Sequence, residues 1–200
     1  MIYKGPFSND KMHGQGRLML PPQGVFFEGR FEQNVAAGVG KLCYPNGDIY
    51  FGQHSGFIKE GHGKLLYADG SSYEGLWLND KRHTQGWSYE HKTGNIYCGE
   101  YQDGKRVGKG RMLYGATQEI YDGEWSNDKR QGEGFLISRD GNVRRGDFRA
   151  DHMESKVEHV RTLTQQNVDK IFDLMRSQND FYVAVSGPRQ KSAKPIRRKD

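Results

Sequence analysis

The chain is poor in what a thick core or a membrane span is built from. Only 34% of its 200 residues are hydrophobic, which leaves too little apolar side chain for a two-layer interior. No apolar run approaches the ~20 residues that a membrane helix needs. Cysteine is scarce as well: Cys43 and Cys98 are the two present. They stand in no metal-like spacing, and reduced thiols in a cytosolic protein are their expected state. Met1 leads into patterned sequence without a secretory leader, so a soluble, cytoplasmic protein is expected. A charge surplus is also missing from the body. Residues 186–200 hold Arg189, Lys191, Lys194, Arg197, Arg198 and Lys199 against Asp200, a net +5, and the whole chain is also +5, so residues 1–185 carry 24 charges of each sign. A neutral body is a poor general polyanion binder, although charge can still be segregated between its faces.

Glycine is abundant, and 26 of the 27 glycines lie at or before Gly146. They belong to a repeat. The stretch Tyr121–Gly141 opens with aromatic-x-Gly-x-aromatic (Tyr121, Gly123, Trp125). It continues through a polar connector to Gly-x-Gly (Gly132, Gly134), a short apolar run and an Asp-Gly turn (Asp140, Gly141). The opening residue recurs at Tyr3, Phe27, Tyr50, Tyr73, Tyr97, Tyr121 and, degraded, Arg144, at steps of 24, 23, 23, 24, 24 and 23. A fixed period of this size marks a repeat array.

Alternation within each unit predicts strands. Tyr73-Gly75-Trp77, Tyr97-Gly99-Tyr101 and Tyr121-Gly123-Trp125 share one parity, and Cys98, Glu100, Asp122 and Glu124 share the other. One face is thus glycine and aromatic and the other mostly polar, the pattern of an antiparallel sheet half in water. Asn46-Gly47 and Asp69-Gly70 signal hairpins, with Gly24, Gly94 and Gly141 in the same place, because glycine accepts the positive φ of tight turns. The paired glycines leave a shallow trough across which a ring from a neighbouring strand can lie. About thirteen strands at ~4.8 Å each would give a ribbon roughly 60 Å long.

Repeats of the form Tyr-x-Gly-x-Trp, Gly-x-Gly, Asp-Gly, in register over residues 3–148, resemble MORN repeats. The resemblance implies a mainly β fold, a single-layer twisted antiparallel sheet with one hairpin per unit, often curved into a groove. It also implies a scaffold without catalytic activity, of the kind found in ciliary radial-spoke and other axonemal or cytoskeletal proteins, at junctophilin membrane contacts, or beside lipid kinase domains. Three units depart from the pattern: His54 replaces a ring, Thr84 replaces the first paired glycine ahead of bulky Trp87 and Tyr89, and Gly115-Ala116-Thr117 lacks Asp-Gly. Thr84 and Trp87 read as a tolerated irregularity in preference to a kink or a partner site. The domain plan is an array over 1–150 (six full units and a closing half unit), a helix with a short extended segment over 151–185, and a flexible basic tail over 186–200.

After Asp151 the period changes. Ser155 with Glu158 forms a capping box. Val157, Val160, Thr164, Val168, Ile171 and Met175 follow helical spacing, which predicts an amphipathic helix to about Asn179. Phe181–Val185 reads as extended. The favoured placement folds this helix over the aromatic face to shield it; the other makes it a handle for a partner or a second copy. The tail has no aromatics, so anionic lipid or the acidic surface of tubulin suits it better than nucleic acid; a merely solvating terminus stands equal to them.

No catalytic pattern emerges. The Gly104–Gly110 run lacks phosphate-loop spacing, the histidines share no ligand spacing, and no serine or cysteine has a recurring base. No metal, cofactor or enzymatic activity is expected. The candidate binding residues are the rings Tyr50, Tyr73, Trp77, Tyr97, Tyr101, Tyr121 and Trp125, proposed as anchors for other proteins of a cytoskeletal or axonemal assembly. A module for anionic phosphoinositides is the alternative, and self-association is compatible with either.

Overall fold

The computed structural model describes the backbone of residues 1–21, 24–154 and 158–185 and the side chains as far as 177. The early strands are β1 (Ile2–Lys4), β2 (Phe7–Ser8), β3 (Lys11–Met12), β4 (Gly14–Leu20), β5 (Val25–Glu32) and β6 (Val35–Cys43). The middle of the array is β7 (Ile49–Ser55), β8 (Ile58–Leu66), β9 (Ser72–Leu78), β10 (Lys81–Glu90), β11 (Asn95–Gln102) and β12 (Lys105–Tyr114). It closes with β13 (Glu119–Ser126), β14 (Lys129–Ile137), β15 (Asn142–Arg149), β16 (His152–Met153), β17 (Glu158–Thr162) and the helix α1 (Gln165–Val185). From β4 to β16 each strand pairs antiparallel with the next, β1 pairs with β4 and β17 with β15, in one open sheet of 15 strands. The antiparallel sheet is as the alternation predicts, and the mainly β, single-layer hairpin architecture is as the resemblance implies.

Two kinds of turn alternate along the array. Tyr44 N–H donates to the Asp48 carbonyl at 2.9 Å and Gly47 N–H to the Tyr44 carbonyl at 3.0 Å, with Tyr67/Gly70/Ser71 and Ser138/Gly141/Asn142 built alike. These are three-residue loops closed by a left-handed glycine. The two-residue turns lie instead in the polar connectors: Asn79-Asp80 and Asn127-Asp128 carry positive φ at both central residues. Asn and Asp tolerate that conformation, which suits the twist of a hairpin. Between the two turns the register slips, for example between Gly99 and Glu100. The slip is made by the first paired glycine of each unit: Gly61, Gly108 and Gly132 have φ of +67°, +57° and +63°. Thr84 holds the same place at φ +50°, an outlier for a β-branched residue. The irregularity therefore keeps the frame at a local cost.

The trough is filled by a ring, but not by one from the neighbouring strand. Tyr97 lies over Gly99 of its own strand and reaches the facing Gly110; a Cβ on Gly99 would sit 2.5 Å from both the Tyr97 hydroxyl and the Gly110 Cα. Missing side chains on both strands let a whole ring lie flat on the backbone.

The C-terminal segment departs from expectation in three ways. Glu158–Thr162 is a strand paired with β15, not the start of a helix; Ser155 lies outside the described residues. β15 would otherwise expose a row of unpaired backbone groups, and satisfying that edge outweighs helical periodicity. α1 begins only at Gln165 and runs on through 181–185, where an extended segment was expected. The helix also packs on the face opposite the aromatic one. Val168, Phe172 and Met175 join Trp87, Ile96, Leu113, Ile120, Ile137 and Val143 in a second core. The strand residues from Ile96 to Val143 form one cross-strand row at the outer ends of β11–β15, beyond the polar positions next to the glycines. Burying a side chain such as Phe172 there contributes ~1.5–3 kcal/mol, and Arg139–Asp169 at 2.9 Å and an Arg176–Gln118 hydrogen bond tie the helix to two loops. The aromatic face has no need of such a cover, as its own packing shows.

Candidate interaction face

The floor of the aromatic face is a double column of rings. Tyr50, Tyr73, Tyr97 and Tyr121 form one column and Trp77, Tyr101 and Trp125 stand in the other, between His54 and Phe148. Each first-column ring meets second-column rings edge-on, as in Tyr73–Trp77 at 5.0 Å and 87° and Tyr73–Tyr101 at 5.2 Å and 87°. Such pairs contribute ~0.5–1.5 kcal/mol beyond area burial. All seven proposed anchors are brought together here, and all are at most 4% exposed. Their polar atoms are turned inward. The Tyr97 and Tyr121 hydroxyls donate to the Glu100 and Glu124 carbonyls at 3.1 and 2.9 Å. Tyr50 and Tyr73 do the same to Gln53 and Leu76 at 2.6 and 3.0 Å. The Trp77 and Trp125 indoles donate to the Gly63 and Gly110 carbonyls, each at 3.0 Å. Burial pushes the four first-column hydroxyls well above their ordinary range, so they stay protonated donors. The rings build the floor; what a partner meets is the layer over them.

That layer is a ladder of cations. Lys59 lies 5.3 Å over the Trp77 ring, Arg82 4.9 Å over Tyr101, Arg106 4.6 Å over Trp125 and Arg130 4.7 Å over Phe148. Each follows a hairpin turn, and the turn of the next unit latches it. Asp128 accepts from the Arg106 backbone N–H at 3.0 Å and from its Nε at 3.2 Å, and the Asp128 carbonyl accepts from Nη2 at 2.8 Å. Arg130 repeats the three bonds with Asp151, and Lys59 binds Asp80 through N–H and Nζ at 2.9 and 2.8 Å. Burial pulls the Lys59 ammonium down, and Asp80 with Tyr44 outweighs it, so its proton is held more tightly than usual. The sequence did carry a signal for this ladder, since Lys59, Arg82, Arg106 and Arg130 recur at steps of 23, 24 and 24. It was absorbed into the "polar connector", because stacking of a cation on a ring in the following strand cannot be read from alternation.

The layer opens at the fourth unit. Leu42, Leu65, Met112 and Leu136 fill one position over the floor, but the fourth unit has Ser88 there. Tyr44, Tyr67 and Tyr114 fill the next, but the fourth unit has Glu90. The strand's large side chains, Trp87 and Tyr89, have gone to the opposite face, under α1. The result is a cleft of about 360 Å³ bounded by Tyr67, Arg82, Ser88, Tyr101 and Arg106. Tyr101 closes its base by donating to Ser88 Oγ at 2.9 Å.

Other sequence candidates have structural roles. Gly104 forms a turn, Gly108 the register slip at φ +57° and Gly110 the bed of Tyr97. His54 is buried and packs on Phe27 at 4.7 Å. Among the described residues no group of three His, Cys, Asp or Glu is placed to hold a metal ion, and no helix there is long and apolar enough to cross a membrane. The six basic tail residues from Arg189 to Lys199 lie outside the described residues. Compared with known proteins, the family model described as MORN repeat matches residues 3–25, 27–49, 58–72, 73–89, 97–115 and 121–143. No curated protein matches the chain.

Proposed function

The chain belongs to the MORN repeat family, a binding repeat, and from that premise we propose that it is a non-catalytic scaffold whose aromatic face docks a segment of another protein. The observation that carries this reading is the fourth-unit cleft, where Arg82 and Arg106 border an opening whose base is Tyr101 and whose side is Tyr67. Rigid rings and stacked guanidinium groups offer contact area and directional donors at little cost in side-chain entropy. In this reading Tyr50, Tyr73, Trp77, Tyr97, Tyr101, Tyr121 and Trp125 act from below, holding the shape and the cations of the docking surface. The setting we propose is a cytoskeletal or axonemal assembly, on the resemblance to stand-alone ciliary members of the family. Anionic phosphoinositide is the second reading. It rests on the basic tail, because three of the four ladder cations already have their own aspartates.

Fractionation of native cells with a non-ionic detergent, then a salt wash of the pellet, tests both. The wild-type protein is expected to stay in the pellet through the salt wash. The double variant Arg82→Ala/Arg106→Ala, checked for an unchanged circular dichroism spectrum, is expected to move to the supernatant. Retention of a folded double variant would place the docking surface elsewhere. Departure of the wild type with detergent-soluble membranes would favour the lipid reading.

A further inference from the structure

In the cation ladder one aspartate is missing. Asp80, Asp128 and Asp151 are each the second residue of their two-residue turns, and each takes the backbone N–H of the preceding unit's cation. The fourth cation is Arg82, and the residue in the aspartate position is Gly104. Its carbonyl still accepts from Arg82 Nη2, at 2.7 Å, as the carbonyls of Asp128 and Asp151 do for Arg106 and Arg130. What glycine cannot supply is the carboxylate that would take Nε and the backbone N–H. Among the described residues Arg82 has no acidic partner. The other charges around the cleft are already engaged. Asp128 is bound by Arg106 at 3.2 Å, Asp69 accepts the Ser71 N–H at 2.8 Å and Glu90 accepts from Thr93 at 2.6 Å. The gap coincides with the opening that Ser88 and Glu90 leave above it.

We infer that Arg82 is a socket for one carboxylate of the docked segment, an Asp or Glu side chain or a chain terminus, which takes the place that aspartate fills in the neighbouring units. The geometry for a bound carboxylate is set by the built examples: one oxygen shared by the guanidinium Nε and the backbone N–H, as at Arg106 and Arg130. A charge-assisted contact of this kind is among the stronger ones a surface offers, and here the stacking of Arg82 on Tyr101 fixes the guanidinium in advance. One unmatched cation with Asp69, Glu90 and Asp128 around it suits a singly charged carboxylate better than a polyphosphate headgroup. Only the identity of the carboxylate's owner rests on the docking proposal; the socket itself stands on the register of the aspartates.

The test uses the full chain, labelled with ¹⁵N, and sodium acetate as the probe, titrated at constant ionic strength against sodium chloride. The Arg82 Nε–H and backbone N–H signals are expected to shift saturably, at least threefold more than the same signals of Arg106 and Arg130. In Gly104→Asp that response is expected to disappear. Gly104 has φ +85° and open space where a Cβ would go, and Asp128 and Asp151 hold φ of +68° and +74°, so the new side chain fits and fills the socket. Equal shifts at the three arginines, or an undiminished response in Gly104→Asp, would overturn the inference. A parallel titration with sodium phosphate that saturates at tenfold lower concentration would also overturn it, in favour of a phosphate site. The detergent fractionation reads the docking face with no carboxylate probe, so the two proposals fail separately.

Discussion

The first two hairpins and the four that follow share a backbone and differ in what fills it. Early in the array the rings are Phe27 and Phe31, and the positions later taken by cations hold Met12 and Ala36, all buried. Phe27 lies on Gly29 and Gly40 as Tyr97 lies on Gly99 and Gly110, and Phe27–Phe31 meet edge-on at 5.2 Å and 85° like the later pairs. Ring shape and absent side chains are therefore enough to set the frame. The later half adds an indole latch and a guanidinium cover to it, and repeats in every unit the hydroxyl latch that the early half makes once, from Tyr3 to the Pro6 carbonyl at 3.1 Å. Those polar additions are what can make a directional contact with a partner, and the cleft lies among them. The boundary is at His54, whose ring packs on Phe27 while, among the described residues, neither nitrogen has a hydrogen-bond partner.

The largest test of this contrast removes a ring from each half. Trp125→Ala should cost ~3–5 kcal/mol from the lost volume, with about 1 kcal/mol more than Phe31→Ala because the Gly110 carbonyl loses its donor. Denaturant melts of both variants measure the difference, and equal losses would mean that the indole bond contributes nothing. Next comes alkaline pH. Burial raises the Tyr50, Tyr73, Tyr97 and Tyr121 hydroxyls above their ordinary value of 10.0. The folded array thus keeps protons that the unfolded chain releases, so this stabilisation is complete below pH 10 and is lost as pH rises further. Tyrosinate absorbance from these rings should appear together with loss of near-ultraviolet circular dichroism. Full ionisation in an intact fold would contradict the buried latches.

A smaller effect isolates one latch. Tyr121→Phe should destabilise by about 1 kcal/mol, whereas Phe27→Tyr should cost nothing, since the Arg30 carbonyl stands where Glu124 does for Tyr121. A cost at Phe27 and none at Tyr121 would reverse the contrast. Smallest is Thr84→Gly, expected to stabilise by ~0.5–1 kcal/mol, because relief of the left-handed strain exceeds glycine's entropic penalty. A lower melting temperature would show that the Thr84 side chain makes a contact worth more than the strain.

Period, strand pairing and the aromatic face were legible because alternation reports directly which side chains share a side. The cover of the opposite face was not. Ile96, Leu113, Ile120, Ile137 and Val143 are spread over five strands and become a row only once the register is known, whereas the nearby Cys98, Glu100, Asp122 and Glu124 suggested a solvated surface. The strand at Glu158–Thr162 was hidden for another reason: its residues have helical spacing, and only the open edge of β15 tells them to pair. That the seven rings share one face is legible in the alternation, but their sealing by each other and by Lys59, Arg82, Arg106 and Arg130 follows from ring geometry that a one-dimensional pattern does not hold. Thr84 and Trp87 were visible as irregular; that Trp87 turns to the opposite face while Ser88 and Glu90 open a cleft beside Arg82 needs the fold.

The most direct test of the docking face is a photo-activated benzoylphenylalanine placed at Tyr67, on the rim of the cleft, or at Phe51, which is 43% exposed on the opposite face. Irradiated in native cells, the chain substituted at Tyr67 is expected to form a discrete covalent adduct with a partner, and the one substituted at Phe51 none. An adduct from Phe51 with none from Tyr67 would contradict docking on the aromatic face.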